Sequence, residues 1–97
     1  MATKLKTRPF DPAKYVGTPE GIAAYLEDAF EIGDAAFIAD ALGVVARAHG
    51  MAAVAAASGL GRESLYKTLS ADGNPELATI LKVLKAIGLR LTVEPVA

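Results

Sequence analysis

Cysteine is absent from the 97 residues. That excludes a disulfide, a thiolate metal site and a thiol nucleophile, and it accords with a reducing cytosol. Histidine occurs once, as His49. It has no cysteine or second histidine with which to share a metal, and it falls in the last turn of an expected helix, where an imidazolium complements the dipole. No uncharged stretch approaches the ~18 residues of a membrane span. The basic residues of MATKLKTRPFD have no apolar run behind them, so no signal peptide is expected. Repeats are missing, and the only compositional bias is toward alanine. The carboxylates Glu27, Asp28, Glu31, Asp34 and Asp40 have no nucleophile or phosphate cradle beside them, so no enzyme signature emerges. The expectation is a cytoplasmic protein that is not an enzyme, with no metal, cofactor, small-molecule substrate or membrane partner.

Hydrophobic residues make up 53% of the chain and charged residues 22%, which fits one globular domain with a single core. The net charge of −1 conceals an uneven distribution. Residues 1–46 hold four Lys/Arg against seven Asp/Glu, whereas residues 47–90 hold six against three. An acidic half beside a basic half suggests two partner surfaces of different chemistry.

Residues 1–17 contain Pro9, Pro12 and Gly17 without helical periodicity, and read as an extended arm. Thr18 is a candidate N-cap, with Pro19 at the first helical position and Glu20 in the first turn. Ile22, Tyr25, Leu26, Ala29 and Phe30 then form one amphipathic stripe. Gly33 ends that helix and Asp34 caps the next, in which Ile38, Ala41, Leu42 and Val45 repeat the spacing up to Gly50. Further on, Asn74 is expected to cap, and Pro75 to start, a helix whose Leu77, Ile80, Leu81, Leu84 and Ile87 face the core. Gly88 closes it. The alternation Leu89-Arg90-Leu91-Thr92-Val93-Glu94 predicts a short strand stopped by Pro95. Because a lone strand needs a backbone partner, a second copy of the chain is expected to supply one.

Met51–Ser70 reads as helix, tight turn at Gly59, and second helix from about Arg62. This is the sequence form of a helix-turn-helix, in which the second helix lies in the major groove of DNA. Ala55 suits the close crossing of the two helices, and Gly59 takes positive φ without steric cost. Leu60, Leu65 and Leu69 supply apolar contacts, leaving Arg62, Glu63, Tyr66 and Lys67 on the outer face.

The run GLGRESLYKTLSADGNPELATILKVLKAIG resembles the Xre/λ-repressor-like helix-turn-helix class. Within that class it is most similar to the addiction-module antidote proteins, the antitoxins of toxin–antitoxin pairs. The resemblance is carried by Ala46-Arg47, Gly50-Met51, Gly59-Leu60, Arg62-Glu63-Ser64-Leu65-Tyr66, Leu69-Ser70, Gly73-Asn74-Pro75 and Lys82 to Gly88. It extends forward through Phe10-Asp11, Tyr15 and the helix around Tyr25-Leu26. It implies an all-α, five-helix DNA-binding domain, usually homodimeric, that represses its own operon and neutralises a toxin, commonly a RelE-like ribonuclease. Two departures stand out. Gly61 replaces the Ser or Thr N-cap of many relatives, a loss of about 0.1–0.5 kcal/mol. Met51 and Ala52 occupy positions where relatives often place a phosphate-touching Gln or Thr.

On this reading the chain divides into residues 1–33, an arm and helix that contact the toxin, and residues 34–97, which bind DNA and dimerise. Arg62 and Lys67 are the leading DNA contacts, since an arginine fork can bond guanine O6 and N7. Glu63 can accept from cytosine N4, although an i,i+4 pair with Lys67 is preferred. Ser64 and Tyr66 fit phosphates or neighbouring bases, and Asn74 fits either a phosphate or the cap of the next helix. A basic RNA-binding groove on a ribonuclease toxin complements Glu27, Asp28 and Glu31, with Phe10 and Tyr15 as aromatic anchors. The alternatives are a helical interaction module that does not bind DNA, and a phage-type repressor without a toxin.

Overall fold

Thr18 and Pro19 open the first helix, as their chemistry dictates. The structure, a computed structural model, describes residues 17–96. The Gly21 N–H donates to Thr18 Oγ1 at 3.0 Å, and Pro19 occupies the first turn of α1 (Pro19–Ile32). Ile22, Leu26 and Ala29 are buried, with Tyr25 and Phe30 packed beside them. Gly33 caps the end, its N–H donating to the Ala29 carbonyl. Asp34 then opens α2 (Ala35–His49), its carboxylate accepting from the Phe37 N–H at 2.9 Å.

The centre of the molecule is α2, which packs against α1 and against α3 (Met51–Ser58), α4 (Arg62–Thr68) and α5 (Leu77–Ile87). Ala39, Ala41, Leu42, Gly43, Val45 and Ala46 are all buried on it. Four of these six are Ala or Gly, and small side chains let neighbouring backbones approach closely. Gly43 marks the tightest approach: a Cβ built there would collide with the Leu69 carbonyl oxygen. A mid-helix glycine costs about 0.5–1 kcal/mol relative to alanine, and here it makes room for the end of α4. The chain turns by 103° between α2 and α3. Met51 and Val54 of α3 complete the core with Leu65, Leu69, Val83 and Leu84. No single helix among the described residues is long and apolar enough to cross a membrane.

The five helices among the described residues agree with the all-α expectation, and three details differ from it. First, α5 opens at Leu77 with Glu76 at the N-cap position, and no side chain, Asn74 included, accepts a capping hydrogen bond there. Pro75 fixes its own φ and pushes Asn74 toward extended backbone, but Glu76 keeps ψ 156, so the helix begins after it. Second, Leu77 and Leu81 are 61% and 45% exposed instead of facing the core. They lie to one side of Ile80, Val83, Leu84 and Ile87, the residues of α5 that pack on the core, so that edge of the apolar stripe stays uncovered. Third, the strand expected over residues 89–94 is not formed in the single chain: among the described residues there is no strand. The physical reason is that residues 90–96 find no backbone hydrogen-bond partner among the described residues.

Tyr25 lies at the α1–α2 junction with a pKa raised from 10.0, first by burial, then by the Asp40 carboxylate, while Arg47 opposes the shift. Raising the folded-state value favours the neutral phenol, so the contribution is fully present below the unfolded pKa and is lost as pH climbs through the folded one. Urea titrations at increasing alkaline pH should show stability declining above about pH 10, with a shallower decline in Tyr25→Phe. A second expectation concerns Gly43. Gly43→Ala should destabilise the fold by about 1–3 kcal/mol in a denaturant titration, because the methyl overpacks the α2–α4 contact. Gly17→Ala, which meets nothing within 4 Å, is the control.

Candidate nucleic-acid interface

The turn between α3 and α4 is built by local hydrogen bonds. Gly59 adopts φ 75, and its N–H donates to the Ala55 carbonyl at 2.9 Å. Such a φ favours glycine, because a Cβ is strained in the left-handed region. The Leu60 N–H donates to Ser58 Oγ at 3.3 Å, and that hydroxyl donates onward to the Ala55 carbonyl at 3.4 Å. Ala55 is half-buried against the core, as a close crossing of the two helices requires.

On α4 the two faces separate cleanly. Leu65 and Leu69 are fully buried, whereas Arg62, Glu63, Ser64, Tyr66 and Lys67 are all exposed. Glu63, Ser64, Tyr66 and Lys67 line one open depression on the outer surface. Arg62 stands at the first position of the helix, outside that depression but exposed beside it. The start of α4 carries no side-chain cap, because Gly61 supplies only its backbone. Among the described residues Glu63 and Lys67 do not close the expected i,i+4 ion pair, and the lysine ammonium meets no other carboxylate there.

Asn74 sits in the following loop, exposed, and its position is set by its neighbour. The Gly73 N–H donates to the Ser70 carbonyl at 2.9 Å, and Ser70 Oγ donates to the Lys67 carbonyl at 2.9 Å. A Cβ on Gly73 would collide with the Thr68 carbonyl oxygen. The loop is therefore pressed against the last turn of α4, which brings Asn74 near the C-terminal end of the exposed helix. Sequence reasoning did not isolate the roles of Gly43 and Gly73. Their signal is a glycine in a helix interior and a glycine ahead of Asn-Pro, and neither specifies which carbonyl it must accommodate.

The expected toxin-contacting residues divide in two. Phe10 and Tyr15 lie outside the described residues. Glu27, Asp28 and Glu31 are exposed on α1 and come together on one wall of a groove of about 630 Å³, whose opposite wall is residues 89–96. Among the described residues no group of three or more His, Cys, Asp or Glu could hold a metal ion.

Residues 6–95 match the model of a family described as probable addiction module antidote protein. An uncharacterized protein of Haemophilus influenzae (strain ATCC 51907 / DSM 11121 / KW20 / Rd) is 40% identical over 94 residues, spanning 97% of this chain and 95% of that protein. No solved structure is significantly similar.

The uncapped start of α4 yields a stability expectation. Gly61 has φ −68 and ψ 135, a conformation open to any residue, and an added Cβ would meet only Ser64 Cβ at 3.7 Å. Gly61→Ser should therefore stabilise the protein by about 0.5–1 kcal/mol in thermal or urea unfolding, through a new cap and a less flexible unfolded chain.

Proposed function

Because this chain belongs to the addiction module antidote family, we propose that it is the antitoxin of a type II toxin–antitoxin pair. It neutralises a RelE-like ribonuclease by direct contact and represses its own operon by binding DNA. It acts in the cytoplasm. The observation that carries the DNA half of this reading is the exposed row Arg62, Glu63, Ser64, Tyr66 and Lys67 on a helix whose other face is buried. Its place as the second helix of a helix-turn-helix supports a λ-repressor-like arrangement with α4 in the major groove. Arg62 reads a guanine, Lys67 and Asn74 hold phosphate, and Ser64 and Tyr66 touch phosphates or neighbouring bases. The basic balance of residues 47–90 favours the same face.

The protein works as a homodimer. Leu77 and Leu81, exposed at i and i+4 on α5, supply an apolar patch for pairing through the last helix. Two recognition helices then fall ~34 Å apart and read an inverted repeat. Residues 1–33 serve the toxin and residues 34–97 serve DNA and dimerisation. Phe10, Tyr15, Glu27, Asp28 and Glu31 face the ribonuclease, whose RNA-binding groove must be basic to neutralise phosphate.

Two assays test the reading. Co-expression with the protein encoded by the adjacent reading frame should relieve that protein's growth arrest; persistent arrest overturns the antitoxin assignment. In footprinting and titration on the upstream DNA, Arg62→Ala should cost about 1–3 kcal/mol and relax one base position, whereas Lys67→Ala should weaken all sequences alike and reduce the salt dependence. Wild-type footprints from both variants overturn the assignment of α4 as the reading helix.

A further inference from the structure

The groove between α1 and residues 89–96 combines three features that one ligand chemistry satisfies. Its floor is apolar, with Leu26, Phe30 and Leu84 from the helices. Among the described residues its walls carry Glu27, Asp28, Glu31 and Glu94 against one cation, Arg90. Its C-terminal wall is an alternating segment whose apolar row starts at Leu89, packed on the core, and runs outward through Leu91 at 40% exposure to Val93 at 96%. Among the described residues, no backbone hydrogen bond engages residues 90–96; the last one made is from the Leu89 N–H to the Leu84 carbonyl. Backbone that finds no partner among the described residues, beside an apolar, acidic groove, can serve as an edge for a partner strand.

We propose that this groove seats an extended cationic segment of the partner toxin, which adds to residues 90–94 as a β-strand. Alternate side chains of that segment pack on Phe30, Leu91 and Val93, while its lysines or arginines meet Glu27, Asp28 and Glu31. This rests on the antitoxin reading and deepens it, because it gives the C-terminal tail to the toxin and not to a second copy. Charge decides between those occupants. The tail of a second copy brings one Arg90 and one Glu94, and so leaves the excess of carboxylates unanswered, whereas a cationic segment neutralises it. The groove includes no residue of α4, and the depression on α4 includes none of α1. The toxin-bound protein therefore keeps its DNA-reading face open.

The test uses the full chain and the protein encoded by the adjacent reading frame, with calorimetric titration and amide hydrogen exchange. The triple variant Glu27→Lys, Asp28→Lys, Glu31→Lys and the double variant Leu91→Asp, Val93→Asp should each weaken binding about tenfold or more. Both should retain wild-type circular dichroism and wild-type binding to the upstream DNA. Exchange of the amides of residues 90–94 should slow on complex formation. Unchanged affinity in both variants, or unchanged exchange, overturns the inference while leaving the antitoxin reading intact. So does light scattering in which the tail variant alone converts a dimer to a monomer, or faster exchange at residues 90–94 on deletion of residues 1–16, since each puts a different occupant in the groove. A wild-type chain that does not bind the neighbouring protein overturns the antitoxin reading, and this inference with it.

Discussion

The contact between Gly43 and the Leu69 carbonyl is the constraint on which the rest of the molecule depends. A helix of seven residues is too short to persist in water, since nucleation is unfavourable and few hydrogen bonds follow it. α4 also lacks a side-chain cap. Its order is imposed from outside, by Leu65 and Leu69 buried on one side and by the backbone of α2 at its end. Gly73 closes the same end from the loop. The exposed side chains of α4 inherit their positions from these contacts, so surface chemistry is fixed by backbone packing several residues away.

Much of this was legible because helix boundaries are written in local chemistry. Thr18, Asp34, Gly33, Gly59 and Gly88 act where a cap or left-handed residue is chemically required, and each is found in that role. The stripe on α1 was equally plain, since Ile22, Leu26 and Ala29 meet a neighbour along its length. The stripe on α5 misled at Leu77 and Leu81, because periodicity marks a face but not which edge of it the neighbouring helices reach. Asn74 misled for a related reason: Asn-Pro signals a boundary, and the ψ of Glu76 decides where the helix starts. Gly43 and Gly73 were illegible as contacts, since the atoms they accommodate lie 26 and five residues away in the chain. The alternation of residues 89–94 was visible, but alternation alone does not supply the backbone partner that a strand requires, and none stands beside it among the described residues. Of the candidate site, the exposure of Arg62 to Lys67 was readable from spacing; the meeting of Glu27, Asp28 and Glu31 with the tail required the tertiary fold.

On the proposed function, the small net charge reflects a division of labour. Acidic side chains gather on α1, and the basic balance lies from Arg47 onward, so the sum near zero is a cancellation between surfaces of opposite sign. Nucleic acid and a nucleic-acid-binding protein make opposite electrostatic demands, and one chain meets both only if the two surfaces are kept apart. α2 provides the separation: α1 packs on it from one side, and the α3–α4 pair from another.

The same helix limits how the two surfaces communicate. Its buried positions are mostly Ala and Gly, so the backbones around it are close together and a displacement on one side has little empty space to absorb it. Packed interiors respond to force by shifting between discrete arrangements and not by continuous deformation. For α4 to swing in response to a molecule seated on α1, Leu69 would have to leave Gly43, exposing two fully buried leucines at about 1.5–3 kcal/mol each. On the proposed function, a partner on α1 therefore changes DNA affinity through what it adds to the assembly (its bulk, its charge, and its effect on how two copies are spaced) and leaves the orientation of α4 within each chain as it was.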